Sequence, residues 1–237
     1  MQFEIDRDSL LKPLQAIIGV VERRQTLPVL GNVLLVAERE QLALTATDLE
    51  VELQATTPLS VSEPGQITLP ARKLLDIVRN LPDDSRIDVR MDGDRAVLRS
   101  GRSRFNLATL PAADFPSVED LGTVEEIELS QTNLRWIIDK THFSMAVQDV
   151  RYYLNGLLLE LEPNHLRAVA TDGHRLALAE LGVEIQLTEP RQVIVPRKGI
   201  QELLRLLEHT DQTVRLELAQ NHVRAQLPGI RFTSKLI

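Results

Sequence analysis

The 237-residue sequence contains no cysteine. Disulfides, thiolate-held metals and cysteine nucleophiles are therefore excluded, and the lack fits a reducing cytoplasm. Aromatic residues make up only 3%, with two tyrosines and one tryptophan. Aliphatic side chains must then build the cores. No apolar run approaches the ~20 residues that a membrane-spanning helix needs. The opening MQFEIDRDSL lacks the basic-then-apolar pattern of a secretory signal. There is no Gly-x-Ser-x-Gly elbow and no phosphate-binding glycine loop. The five histidines, at 142, 165, 174, 209 and 222, show no metal-ligand spacing. No metal and no cofactor are expected. Length and a 43% hydrophobic content suit two soluble domains of ordinary size.

What is present is a repeat. Displacing the sequence against itself by 124 residues brings Leu30 onto Leu154, Leu42 onto Leu166, and Ala46-Thr47-Asp48 onto Ala170-Thr171-Asp172. FEIDRDSLL from Phe3 meets IELSQTNLR from Ile127 at the same offset. Farther on, Pro70 meets Pro196 and Phe105 meets Phe232, a drift that single insertions in loops explain. One offset held across separated segments predicts two homologous units, at 1–121 and 122–237. The join LPAADFPSVEDLGTVEE is rich in proline and acid, as a linker should be.

Each unit predicts the same elements. An alternating strand (MQFEI, EEIEL) leads into a helical pattern, with Asp8 or Ser9 and Thr132 or Asn133 as caps and a kink at Pro13. Short strands follow, then a strand ending in proline and a second helix, ITLPARKLLDIVRNL and VIVPRKGIQELLRLL. Hairpins close each unit, with a turn at Asp92-Gly93 in the first and a weaker one at Gln220-Asn221 in the second. The pattern predicts α+β domains, each with a sheet on one side and two helices on the other.

The net charge of −7 is unevenly spread. Residues 8–24, 71–80, 131–148 and 197–208, the predicted helices, hold eleven basic and six acidic side chains, a balance of +5 that leaves −12 for the rest. Any solvated helix face carries some lysine and arginine. A basic face on an acidic body also suits loose, sequence-indifferent contact with a polyanion.

VRYYLNG, VATDGHRLA, VIVPRKG, GRSRF, TLPAADFP and FTSKL, in this order and spread over the whole chain, resemble the bacterial replicative sliding clamp, the beta subunit of DNA polymerase III. The resemblance implies repeated clamp domains with sheets outside and helices lining a ring around DNA. Clamps of this family carry three such domains and pair head to tail. Ile237 matches Leu110 in the repeat, so the chain reads as the first two of three domains, a fragment expected to be mainly monomeric. The implied partners are double-stranded and primed DNA, the polymerase III catalytic subunit, the clamp loader and other clamp-motif proteins.

Three candidate surfaces follow. The resemblance assigns DNA contact to Arg24, Arg72, Gln148, Tyr152 and Tyr153. A tyrosine pair beside a basic residue can stack on an unpaired base, and one tyrosine in and one out is the ordinary strand alternative. It assigns a pocket for partner peptides to Leu154, Thr171, Gly173, His174, Arg175 and Leu176. Here the leucines would supply an apolar floor and Gly173 close approach, unless both leucines are simply core. It assigns the subunit interface to Lys73, Ile77, Arg102, Arg104, Phe105 and Leu107. Asp48 and Asp172 end equivalent strands, where a short carboxylate can bond turn backbone. The competing readings are an interaction scaffold with no role on DNA, and a hydrolase using Asp172 and His174 as acid–base pair or metal ligands.

Overall fold

The computed structural model describes residues 1–21, 27–38, 40–118, 121–122, 125–185, 187 and 189–237. They form two compact units, Met1–Ser117 and Val118–Ile237. Unit 1 contains β1 (Gln2–Asp6), α1 (Arg7–Ile17), β2 (Asn32–Glu38), β3 (Gln41–Thr47), β4 (Val51–Pro58), β5 (Val61–Glu63), β6 (Gly65–Pro70), α2 (Ala71–Asn80), β7 (Arg86–Asp92), β8 (Arg95–Ser100) and β9 (Ser103–Ala108). Unit 2 contains β10 (Glu125–Ser130), α3 (Gln131–Asp139), β11 (Gly156–Glu162), β12 (His165–Thr171), β13 (Leu176–Gly182), β14 (Arg191–Pro196), α4 (Arg197–Leu206), β15 (Thr213–Leu218), β16 (His222–Leu227) and β17 (Ile230–Lys235).

The strands of each unit divide between two antiparallel sheets. In unit 1 the orders are β5-β1-β7-β8-β9 and β4-β3-β2-β6; in unit 2 they are β10-β15-β16-β17 and β13-β12-β11-β14. Taken in chain order, β10 to β17 stand in the same arrangement as their counterparts. Unit 1 adds β5 beside β1. The repeat in sequence is thus a repeat in fold. It extends to detail: Leu110 bridges Thr68, and the Ile237 N–H donates to Ile194 O at 2.9 Å, at the matching place against β6 and β14.

The helices lie where the amphipathic pattern requires. Ala71, Leu74, Leu75 and Val78 of α2, and Gly199, Ile200, Leu203 and Leu206 of α4, are buried at helical spacing. Each buried leucine contributes about 1.5–3 kcal/mol by leaving water. The helices α1 and α2 pack on each other and on β2, β3, β4 and β6; α3 and α4 repeat this on β11 to β14. Phe3 and Phe232 are fully buried.

Two boundaries differ from the sequence expectation. The first helix of each unit starts earlier, at N-caps Asp6 and Ser130, with Ser130 Oγ accepting the Asn133 N–H at 3.1 Å. Both helices also end early, at Ile17 and Asp139, and short 3-10 turns at 18–20 and 142–144 follow. Helix α1 runs on through Pro13, which is buried.

Gly199 marks a close helix–strand contact in unit 2. A Cβ there would lie 2.5 Å from Ser234 Oγ and 3.1 Å from Ser234 Cβ. Gly199→Ala is expected to destabilise the chain by about 1–3 kcal/mol through overpacking, read as a lower midpoint in urea denaturation. An unchanged midpoint would show that α4 can lift from β17 at no cost.

Candidate functional site

The turns at 47–51 and 171–175 are one structure built twice. Thr171 Oγ1 donates to Arg175 O at 2.7 Å and accepts the Gly173 N–H at 3.1 Å. Asp172 Oδ1 accepts the His174 and Arg175 N–H groups, both at 3.0 Å. In unit 1, Thr47 Oγ1 donates to Val51 O at 2.9 Å and accepts the Leu49 N–H at 3.1 Å. Asp48 Oδ1 accepts the Glu50 and Val51 N–H groups at 2.9 and 2.7 Å. Thr-Asp therefore recurs because it closes the same turn.

The third residue of this turn is left-handed in both copies, with φ +90° at Gly173 and +77° at Leu49. Glycine adopts that conformation freely and leucine does not. Gly173 also makes room. A Cβ there would lie 2.9 Å from Arg151 Nη2. The side chain that Gly173 lacks is replaced by a guanidinium from another segment.

That segment, 148–155, is a hydrogen-bonded bracket. Gln148 enters it at φ +56°. The Asp149 N–H donates to Asn155 Oδ1 and Asn155 Nδ2 donates to Asp149 O, each at 2.9 Å. Arg151 donates to Asp149 from its main chain at 2.8 Å, from Nε at 3.0 Å and from Nη2 at 2.8 Å. Hydrogen bonds from the Arg151 side chain and backbone hold the Asp149 carboxyl down at about 2. A depressed carboxylate supports the fold above its unfolded pKa, and that support fades as the pH falls towards about 2. The bracket is thus intact throughout the neutral range.

The bracket joins two surfaces that the sequence presents as separate. Tyr152 and Tyr153 are exposed on a 3-10 turn with Leu154, their rings edge to face at 5.9 Å between centroids and 75° between planes. Neither ring stacks on the other, so each leaves a face to a base. On the other side, Arg175 Nη2 donates to Phe143 O at 2.7 Å, with its guanidinium 5.9 Å from the Phe143 ring centroid. Leu176 is 63% exposed, Leu178 55% and Phe143 51%, while Leu154 is half-buried. Its counterpart Leu30 is sealed in a cluster with Val29 and Phe115. Leu154 is therefore partly open where unit 1 covers its equivalent, and Leu176 and Leu178 stand exposed where unit 1 has Glu52 and Gln54.

Asp172 is poorly suited to catalysis. Its Oδ2 pairs with Arg175 Nε at 3.0 Å, and hydrogen bonds from the His174 and Arg175 N–H groups lower its pKa. A stabilised carboxylate is a weak base. His174 is exposed at the turn. Among the described residues no group of three or more His, Asp or Glu side chains is placed to hold a metal.

Of the residues assigned to DNA, Arg24 lies outside the described residues. Arg72 donates from Nη2 to Val21 O. In unit 2, Arg197 Nη1 donates to Met145 O at 3.0 Å, and Met145 is the 124-residue counterpart of Val21. Arg7 and Arg135 likewise serve as braces. Arg7 donates to Val78 O and Arg79 O at 3.1 Å, and Arg135 to Leu204 O and Leu207 O at 2.9 and 2.7 Å, at the ends of α2 and α4. Cations suit helix C-termini. The helices as folded still carry nine basic residues (Arg7, Lys12, Arg72, Lys73, Arg79, Arg135, Arg197, Lys198, Arg205) against four acidic ones (Asp8, Asp76, Asp139, Glu202), a balance of +5.

The third candidate surface follows β9, an edge of its sheet within unit 1. Arg102, Arg104 and Lys73 are exposed, Ile77 and Phe105 are half-buried, and Leu107 is buried at 6%. Leu107 thus packs inward and Arg104 and Asn106 face out. The sequence reading missed Asp149, Asn155 and Phe143, and took Arg151 only as the basic residue beside the tyrosine pair. Their one signal is the exchange of Leu49 for Gly173 between otherwise matching turns.

Comparison with known proteins accounts for the repeat. Residues 1–119 match the N-terminal domain of the DNA polymerase III beta subunit and residues 128–237 its central domain. The chain belongs to the DNA polymerase III beta subunit family. The beta sliding clamp of Pseudomonas aeruginosa is 56% identical over the whole chain, and that of Escherichia coli K12 49%. This chain spans 65% of the length of each of these relatives. Among solved structures, the DNA polymerase III subunit beta of P. aeruginosa superposes with a TM-score of 0.96 at 56% identity, covering all of this chain and 65% of that one. The sliding clamp of Caulobacter crescentus gives 0.94 at 44%, with 100% and 65% covered. No helix among the described residues is long and apolar enough to cross a membrane.

Proposed function

We propose that this chain supplies two domains of a cytoplasmic DNA sliding clamp, a non-catalytic processivity factor for the replicative polymerase. The observation that carries the reading is the balance of +5 on four helices that repeat in two like units, within a chain of net charge −7. Phosphate contact on such a face gives affinity without sequence information, as sliding requires. Encirclement would add processivity without tight contact, because a linked ring cannot simply dissociate.

In this reading Arg24, Arg72, Gln148, Tyr152 and Tyr153 meet duplex or primed DNA. Leu154, Thr171, Gly173, His174, Arg175 and Leu176 receive peptides from the polymerase catalytic subunit, the clamp loader and other clamp-motif proteins. Lys73, Ile77, Arg102, Arg104, Phe105 and Leu107 meet a second subunit in the homodimeric ring of the intact family protein. The test is fluorescence anisotropy with two duplexes of unrelated sequence at low salt. Similar weak binding of both supports the reading. No binding of either favours a scaffold without a DNA role.

A further inference from the structure

The sole tryptophan, Trp136, stands on the solvent side of α3 at 41% exposure. The buried side of that helix is Gln131, Leu134, Ile137 and Ile138. Asn133, Trp136 and Lys140 therefore share one exposed stripe, at intervals of three and four residues. Among the described residues the indole N–H has no protein acceptor. On the duplicated helix α1 the position equivalent to Trp136 is Lys12, which is also exposed. The repeat thus places a cation on one helix and an indole on the other at the same point.

The charge of the helices gives this exchange a meaning. Helix α3 is the one of the four that carries no net charge, because Arg135 is matched by Asp139 at 3.5 Å. The others are net positive. Lys140, at the C-cap, is the one cation on the exposed stripe, so along the body of α3 contact with a polyanion falls to neutral donors. The indole N–H is such a donor, and it releases no counterion when it meets a phosphate.

We propose that Trp136 is a further nucleic-acid contact, donating its indole N–H to the phosphate backbone from α3 as Lys12 does by charge from α1. The inference rests on the DNA-binding reading above and adds to it a contact that salt does not screen.

Because the chain has one tryptophan, the test reads that residue alone. Duplex DNA is titrated at several salt concentrations while labelled-duplex anisotropy and tryptophan emission are followed together. The expected result is an emission change that tracks the anisotropy. Trp136→Ala and Trp136→Phe, the latter keeping the ring and losing the donor, should each weaken binding about threefold to tenfold with an unchanged salt slope. Lys12→Ala should instead lower the slope by about 0.9, one released counterion. Duplex binding with unchanged emission, or Trp136→Phe with the original affinity, would overturn this contact and leave the DNA-binding reading standing. Absence of duplex binding at low salt would overturn both.

Discussion

Raising the salt fourfold, from 50 to 200 mM, is expected to weaken duplex binding by this chain about 500-fold. The figure follows from treating the helix balance of +5 as about five neutralised phosphates, each adding ~0.9 to the slope of log affinity against log salt. It is an upper value, because Arg7, Arg72, Arg135 and Arg197 spend hydrogen-bond donors on backbone carbonyls. Their charge remains, but their reach is limited, so the exposed Lys12 should carry a full share of the slope. Anisotropy at four or five salt concentrations measures it. A flat dependence would remove the electrostatic basis of the account.

Asp172→Ala is expected to lower affinity for a partner peptide about tenfold or more while the fold survives. One carboxylate closes the turn at His174 and Arg175 and fixes the Arg175 side chain, which in turn reaches Phe143 O. Removing it frees the turn beside Gly173 and releases Arg175 from the pocket rim. Groups at the centre of a docking site commonly lose this much on truncation. Asp48→Ala provides the control, since it opens the same turn in unit 1, which contributes no residue to the candidate pocket. The two variants should show similar circular dichroism and different peptide affinities by calorimetry. Equal affinities would place the peptide site elsewhere.

Much of the fold was legible because the repeat and the alternation are carried by residues whose reason is local. Ile127 and Leu129 alternate with Glu126 and Glu128 as a half-buried strand must, and Pro70 and Pro196 stand just before α2 and α4. The ends of the first helices were not legible. Their starts are fixed from a distance, by the Arg7 N–H on Ser85 O and the Gln131 N–H on Gln212 O. Propensity near residue 8 cannot anticipate those partners. The division of each unit into two sheets depends on long-range pairing such as Gln2 with Arg90, which no local pattern announces.

The site was legible in a different way. Resemblance named the candidate residues, and the Thr-Asp turns were evident from the sequence itself. What escaped was the link between them. Gly173 looks like a turn glycine, which it is, but its missing side chain also admits Arg151 from 22 positions upstream. That meeting depends on the Asp149–Asn155 bracket, whose members read individually as ordinary loop residues.

The central claim is that the helical faces and the turn with Gln148, Tyr152 and Tyr153 meet DNA, while Leu154 and the 171–176 turn meet peptides. Backbone NMR chemical-shift mapping with duplex DNA at low salt tests it most directly. The account predicts shifts along the exposed faces of α1 to α4, including Lys12, Arg72, Trp136 and Arg205, and at Tyr152 and Tyr153. Shifts concentrated on the outward strand residues, such as Arg90, Arg99 and Arg104, with the helices silent, would contradict it.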